Sequence, residues 1–189
     1  MPERIEDRCG PYLIIGGVLK DVPQAIAYLG GQVVTKEEAE DPETAVRCLK
    51  ERLADEQSRL LAAREDGVPS AEEYASALAS LFPKVEQQTL EQVRHHVRVP
   101  GGRLTMRDLS RVTGQIPDEV QKTHASIGRA LGRLLQFDPK PPRIERPALP
   151  IAVIAEPSGS LTPFEREWTL REQARQGLAA ALDLVPPES

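Results

Sequence analysis

The sequence predicts a mainly α protein of the α+β class, in which a helical N-terminal region precedes a helix-turn-helix domain with a β-hairpin. Three observations favour this fold. Apolar residues recur at three- and four-residue steps over much of the segment 42–135, glycine-containing breaks divide the segment 89–135 into three amphipathic parts, and two strand-like runs follow a proline-rich connector. A chain of 189 residues can bury one sizeable core or two small ones.

Residues 1–83 are predicted to form an acidic, mostly helical region. Tyr12–Leu19 is a continuous apolar run that favours a short buried strand, although periodicity alone also allows a buried helical turn. Asp21 and Pro23 predict a short helix that ends at the glycine pair 30–31. Because the glycine pairs 16–17 and 30–31 lack the spacing of a phosphate-binding loop, we interpret both as tight turns.

Two further helices are predicted before residue 84. Asp41 and Pro42 are typical of a helix start, and apolar residues at helical spacing continue to Asp66. Ser70 followed by Glu73 has the spacing of a capping box and predicts the start of the second helix. Pro83 ends this helix.

Residues 84–185 are predicted to form the second domain, and its first part has the pattern of a helix-turn-helix. One helix is expected over about 85–97, a second begins where Thr105 precedes Asp108 by three residues, and a third begins near Pro117. The breaks between them, 100–102 and 114–117, are short enough for a helix-turn-helix core.

A β-hairpin is predicted after the third helix. Residues 139–150 hold so many prolines that they are expected to form an extended connector. The runs 151–155 and 167–171 then read as two strands, with a turn at 157–160. Two strands behind a helix-turn-helix make the domain winged-helix-like.

Charge is distributed unevenly along the chain. The formal net charge is −5, yet residues 84–140 hold 10 Lys/Arg and 6 Asp/Glu, a net +4, whereas residues 1–83 carry −7 and residues 141–189 carry −2. A basic segment within an acidic chain indicates contact with nucleic acid, and contact with an acidic partner protein is the alternative.

The predicted binding face lies on the third helix. Its candidate residues are spaced four, three and four residues apart, which places them opposite the apolar stripe of Val120, Ile127 and Leu131: Lys122, Ser126, Arg129 and Arg133. Five arginines before the third helix are candidate phosphate-binding groups or partners of the acidic N-terminal region. They are Arg103, Arg107 and Arg111, together with Arg94 and Arg98 on the first helix. Gly128 and Gly132 indicate that another backbone approaches this helix.

No motif predicts catalysis, a metal or a cofactor. His95 and His96 are adjacent, so on a helix their side chains point about 100° apart, and His124 stands alone; all three are interpreted as satisfied or solvent-facing histidines. Cys9 and Cys48 lack metal-ligand spacing and are expected to be free thiols in a reducing cytoplasm. The longest apolar run is too short to span a bilayer, so we expect a soluble cytoplasmic protein without membrane contact.

Residues 102–109 and 127–134, with 168–171 and 181–182 after them, carry a resemblance that covers about half of the chain. They resemble a winged-helix-like module that accompanies HNH nuclease domains in bacterial restriction-type proteins. The resemblance implies a winged-helix-like fold next to DNA-processing functions. Since the chain has no HNH-type histidine cluster, the resemblance implies no nuclease activity.

The sequence therefore predicts a non-catalytic protein that binds double-stranded DNA. It would act as a regulator or as a DNA-recognition subunit of a bacterial, phage, plasmid or defence system, and it would be able to act as a homodimer. The alternative is a protein-interaction module, an adaptor or inhibitor, that docks its basic face on an acidic partner. The acidic N-terminal region is a second candidate surface for a protein partner.

Overall fold

In the computed structural model, which describes residues 4–139, 150–159 and 165–184, the chain forms two units that divide between Val68 and Pro69. We call them the N-terminal unit and the C-terminal unit. The helix after Ser70, which the sequence analysis placed with residues 1–83, lies in the C-terminal unit.

The N-terminal unit is a four-stranded antiparallel sheet followed by one long helix. The strands occur in the sheet in chain order, and the helix follows them directly: β1 Ile5–Cys9, β2 Tyr12–Leu19, β3 Val22–Leu29, β4 Gln32–Glu38 and α1 Pro42–Ala63. Two-residue turns join β2 to β3 and β3 to β4, with φ of 53° and 64° at Lys20 and Asp21 and of 60° and 90° at Gly30 and Gly31. Successive residues with positive φ favour tight hairpins between antiparallel strands.

The predicted helical N-terminal region is wrong, because most of residues 4–38 form strands. β3 occupies the segment predicted as a short helix, and its buried Ala25 and Ala27 follow the two-residue period of a strand. Asp21, interpreted as a helix cap, lies in a hairpin turn. A short run of small residues between glycines fits both the period of a helix and that of a strand. Pairing with the neighbouring strands makes this segment a strand.

Gly16 lies within β2, although it was interpreted from the sequence as part of a tight turn. A glycine is needed at this position because α1 crosses the sheet there. A Cβ atom at this position would lie 2.4 Å from Val46 Cγ2 and 3.3 Å from the carbonyl oxygen of Pro42. The missing side chain thus allows α1 to pack closely on the sheet over a core of small and aliphatic residues. That core comprises Cys9, Ile14, Ala25, Ala27, Ala45, Val46, Leu49 and Leu53.

The C-terminal unit combines five helices with a three-stranded sheet within the part that the structure describes. Its elements are α2 Ala71–Leu81, α3 Gln87–Arg98, β5 Arg103–Thr105, α4 Met106–Thr113, α5 Pro117–Leu135, β6 Ala155–Gly159, β7 Arg166–Leu170 and α6 Glu172–Ala181. The sheet order is β5-β7-β6, and both pairings are antiparallel. The short turn between α4 and α5 contains Gly114, whose φ of 71° ends α4.

The first predicted strand of the hairpin is displaced along the chain. Residues Pro150–Val153 form a 3-10 turn, and β6 extends through residues 157–159, where a turn was predicted. Residues 140–149 of the predicted connector and residues 160–164 lie outside the described residues.

The core of the C-terminal unit surrounds Trp168, which is 1% exposed. Tyr74 on α2 is fully buried beneath α6, and its hydroxyl donates a 2.5 Å hydrogen bond to the carbonyl oxygen of Val153. Gly177 permits the contact between these two helices, because a Cβ atom there would lie 2.2 Å from the carbonyl oxygen of Ala71. None of the helices in the described ranges combines the length and apolar composition needed to cross a membrane.

Candidate nucleic-acid interface

The α5 helix presents the predicted candidate face to solvent. Lys122, Ser126, Arg129 and Arg133 are all exposed. The opposite side of the helix is buried, and it consists of Val120, His124, Ile127, Gly128, Leu131 and Leu135. Because α5 has a regular helical period over its 19 residues, the four side chains form one stripe along the helix.

Within this stripe, Arg129 and Arg133 differ from Lys122 in their ionic partners. Lys122 contacts Asp118 one turn earlier at 2.5 Å, and this hydrogen bond raises the pKa of the lysine. Arg129 and Arg133 have no carboxylate within salt-bridge distance among the residues that the structure describes. Two guanidinium groups one helical turn apart are therefore available to an external anion.

The three other predicted cations are exposed but locally paired. Arg103 on β5 lies 4.0 Å from Glu167, and Arg107 on α4 lies 3.0 Å from Glu165. Arg111 contacts Asp108 on its own helix at 3.1 Å. The first two pairs place Glu167 of β7 beside β5 and Glu165, which precedes β7, beside α4. The described part of the hairpin thus adds carboxylates next to these arginines.

Close neighbours explain the glycines of α5: the Pro150 backbone at Gly128, and Phe137 and Val153 at Gly132. A Cβ atom on Gly128 would lie 2.1 Å from the Pro150 carbonyl oxygen, and one on Gly132 would lie 3.1 Å from Val153 Cγ2. The expectation that another backbone approaches this helix is confirmed. An open groove of about 470 Å³ beside this contact is lined by Arg129, Arg133 and their neighbours.

Beneath the candidate face, two buried histidines connect α5 to α3. The ring centroids of His96 and His124 lie 5.5 Å apart, and both side chains are 1% exposed. His96 Nε2 lies 3.0 Å from the carbonyl oxygen of Gly102 and 3.2 Å from that of Trp168. Since carbonyl oxygens only accept, His96 carries its proton on Nε2 and links α3 to the segment before β5 and to β7.

His124 is held from the other side by an amide chain. Its Nδ1 lies 3.2 Å from Gln92 Oε1, so it donates to that oxygen, and Gln92 Nε2 donates to Gln115 Oε1 in the turn between α4 and α5. The hydroxyl of Ser110 on α4 donates to the Gln115 carbonyl oxygen. The cluster thereby fixes the turn that sets α5 against α4.

Among the described residues, each imidazole has one buried nitrogen without a hydrogen-bond partner, Nδ1 of His96 and Nε2 of His124. Burial lowers the pKa of His96 to about 4, and burial together with the neighbouring His96 lowers that of His124 to about 3. A second proton would have no acceptor at either nitrogen, so both rings are neutral near pH 7.

This polar cluster was not predicted, because Gln92 and Gln115 belong to different segments with no shared spacing. The available signal was His124, which falls on the buried side of α5. His95, next to His96, is half-buried. No group of three or more metal-binding side chains occurs in the described ranges 4–139, 150–159 and 165–184.

Comparison of the chain with protein-family models, with curated proteins and with solved structures finds no match.

Proposed function

We propose that the C-terminal unit is a non-catalytic module that binds double-stranded DNA through the exposed stripe of α5. The single observation that carries the proposal is the pair Arg129 and Arg133, two exposed guanidinium groups on one helix face that lack a carboxylate partner among the described residues. Arginine binds phosphate and guanine edges with paired donors, and an α-helix fits the major groove of B-DNA.

The order of elements supports α5 as the helix that enters the groove. A helix, a short strand, two helices joined by a tight turn and a hairpin follow each other, and the first strand pairs with the last. In a helix-turn-helix module the second helix of the pair reads the groove while neighbouring groups hold the backbone. The resemblance to the winged-helix-like modules near HNH nucleases agrees with this assignment and remains part of the proposal.

Arg103, Arg107 and Arg111 act in this proposal as phosphate-binding groups that exchange partners. Their ion pairs are on the surface, and exposed pairs contribute only about 0–1 kcal/mol. A DNA phosphate can therefore replace the carboxylate at little cost. Because Glu165 and Glu167 belong to the hairpin, we assign the main contacts to α4 and α5.

Titration of a fluorescent duplex with the full-length protein tests the proposal. Wild type should bind at low salt, and Arg129→Ala with Arg133→Ala should weaken binding at least about tenfold, as expected when two charged contacts are lost. The matched control is Arg47→Ala with Arg59→Ala, which removes the same charge from exposed positions of α1. No binding of duplex by wild type at low salt, or equal losses in the two double variants, would contradict the proposal.

We place such a protein in the cytoplasm, as a regulator or as a DNA-recognition subunit of a phage, plasmid or defence system. Cys9 and Cys48 are free thiols, which agrees with a reducing compartment. Under this proposal the protein acts by occupying a site on DNA, and it converts no substrate.

A further inference from the structure

The sheet of the N-terminal unit has one face that no element within the described residues 4–68 of that unit covers. α1 lies against the other face, where Lys50 contacts Asp7 of β1 at 2.7 Å and Arg52 contacts Glu37 of β4 at 2.9 Å. Since successive residues of a strand point to opposite faces, the neighbours of Asp7 and Glu37 point away from α1. We call the face that points away from α1 the open face.

Apolar side chains occupy the middle of the open face. β2 and β3 contribute three cross-strand pairs, in which Leu13 lies opposite Tyr28, Ile15 opposite Ile26 and Leu19 opposite Val22. Leu19 is 53% exposed and Val22 is 38% exposed, and the other four are half-buried. The pair of Gly17 and Gln24 interrupts this apolar stripe between Ile15 and Leu19. An exposed apolar stripe on a sheet marks an interaction surface.

Charged side chains border the stripe on both edge strands. Arg4, directly before β1, lies 3.6 Å from Glu6 on β1, and on β4 Lys36 lies 2.7 Å from Glu38. These contacts between alternate residues show that both members of each pair lie on the same face. Arg8 on β1 lies on this face too, opposite Leu13, so five charges border the apolar centre. The row of Arg8 ends at the apolar Val33 on β4 and is positive at the β1 edge only.

The strand register places opposite charges at the two ends of the same row. Glu6 is opposite Ile15, Ile15 is opposite Ile26 and Ile26 is opposite Lys36. The next row runs from Gly17 through Gln24 to Glu38 on β4. Arg4 lies at the β1 end of this row, because it directly precedes Ile5, which is opposite Gly16. Each of these rows is thus negative at one edge and positive at the other.

We propose that the open face binds the open face of a second copy of this chain. A two-fold axis parallel to the strands would place β1 of each copy over β4 of the other while it keeps each row over its equivalent. Glu6 would then face Lys36 of the other copy, Arg4 would face Glu38, and the two apolar stripes would cover each other. An interface formed by one patch with itself is the usual arrangement of homodimers.

The size of the face sets the expected strength of the dimer. Four strands about 4.8 Å apart and about seven residues long give a face of roughly 19 Å by 23 Å. Such a face is about half of the roughly 800 Å² that each partner buries in a standard stable complex. We therefore expect a dimer that dissociates on dilution in the micromolar range.

Sedimentation velocity of the full-length chain without DNA tests the dimer. Between about 1 and 200 µM, wild type should shift from monomer to dimer, and Ile26→Glu should remain monomeric at every concentration. The matched control is Leu60→Glu, which puts the same charge on an exposed apolar position of α1 and should dimerise as wild type does. Circular dichroism verifies that each variant is folded.

A charge-swap cycle tests the orientation with variants that leave the apolar residues intact. Glu6→Lys and Lys36→Glu should each weaken the dimer by at least about threefold, because each sets like charges against each other, and the double swap should restore it. Within one chain the two positions are separated by three strand spacings, roughly 14 Å, so restoration reports a contact between copies.

A wild-type chain that stays monomeric at the highest concentration overturns the proposal. So does a dimer that Ile26→Glu leaves intact, or a double swap that is as weak as the single variants. Because no DNA is present, these outcomes are independent of the proposed DNA binding, which the Arg129 and Arg133 variants test separately.

Discussion

The cores of the two units differ in the size and polarity of their side chains. The N-terminal unit buries alanines and aliphatic residues against Gly16, so α1 lies close to the sheet. The C-terminal unit buries Trp168 and Tyr74 and also encloses His96 and His124. All three histidines of the chain belong to the C-terminal unit. The comparison shows two ways of fixing a helix, by close packing in one unit and by a buried polar cluster in the other.

This difference predicts that acid destabilises one unit before the other. The folded-state pKa values of His96 and His124 are about 4 and about 3, below the unfolded value of about 6.5. The unfolded chain therefore binds more protons, and stability that is complete above pH 6.5 is lost as the pH falls through this window. Between pH 7 and pH 5 the C-terminal unit should lose roughly 3–4 kcal/mol of unfolding free energy.

Urea unfolding followed by Trp168 fluorescence measures this effect, since the single tryptophan is buried in the C-terminal unit. His124→Gln should reduce the pH dependence by about half because one of the two buried imidazoles is removed, while His95→Gln should leave most of it. In the N-terminal unit, hydrogen bonds lower the pKa values of Asp7 and Asp41 below 3.8, so their contribution is lost only at lower pH. Equal unfolding free energies of the C-terminal unit at pH 7 and pH 5 would refute the account.

Glycine substitutions provide the next largest effect and compare the helix contacts of the two units. Gly128→Ala should cost about 2–3 kcal/mol, because the added carbon would meet the Pro150 backbone, which cannot move aside as a side chain can. Gly16→Ala should cost less, about 1–2 kcal/mol, since its nearest neighbour is the Val46 side chain.

Urea unfolding followed by Trp168 fluorescence measures the cost of Gly128→Ala in the C-terminal unit. Hydrogen exchange of backbone amides measures the cost of Gly16→Ala in the N-terminal unit. Gly17→Ala is the control for Gly16, because an added Cβ at Gly17 has no atom within 4 Å. A Gly128→Ala variant as stable as wild type would show that the Pro150 segment does not pack on α5.

Much of the C-terminal unit was predictable because its signals are local. Thr105 accepts from the Asp108 backbone and Asp108 accepts from the Thr105 backbone, as the spacing indicated. The exposed stripe of α5 was predictable from the helical spacing of its polar and apolar residues. The N-terminal sheet was not predictable in this way, because alanines and glycines between turns have no period of their own and the pairing of the strands depends on distant residues.

The candidate site was predictable only as far as exposure and local ion pairs. Arg103, Arg107 and Lys122 are exposed, but their ionic partners were readable from the sequence only in part. The i,i+4 spacing of Asp118 and Lys122 indicates their pair, whereas the pairs of Arg103 with Glu167 and of Arg107 with Glu165 have no local signal. The latter two pairs join residues far apart in the chain. The amide chain through Gln92 and Gln115 joins two other segments in the same way.

A smaller effect is expected at the helix cap of α4. Thr105→Ala removes the acceptor for the Asp108 backbone N–H, which should cost about 1 kcal/mol of unfolding free energy. Urea unfolding by Trp168 fluorescence measures the change. Ser126→Ala, at an exposed position within α5, is the control and should change stability by less than about 0.5 kcal/mol.

The smallest effect on stability is expected for Arg111→Ala. Its ion pair with Asp108 is exposed, so unfolding free energy should change by less than about 0.5 kcal/mol. Affinity for duplex DNA should nevertheless fall several-fold under the proposed function, because a phosphate contact is lost. A loss of stability without a loss of affinity would assign this arginine a structural role only.

The salt dependence of duplex binding tests the central claim most directly. Binding of a fluorescent duplex by wild type, measured between about 50 and 200 mM salt, should weaken steeply, with a linear relation between the logarithms of affinity and salt concentration. Arg129→Ala with Arg133→Ala should reduce the magnitude of the slope by about two, whereas Arg47→Ala with Arg59→Ala should leave it unchanged. An affinity that is independent of salt, or a slope that the Arg129 and Arg133 variants do not alter, would contradict the assignment of α5 as the DNA-binding surface.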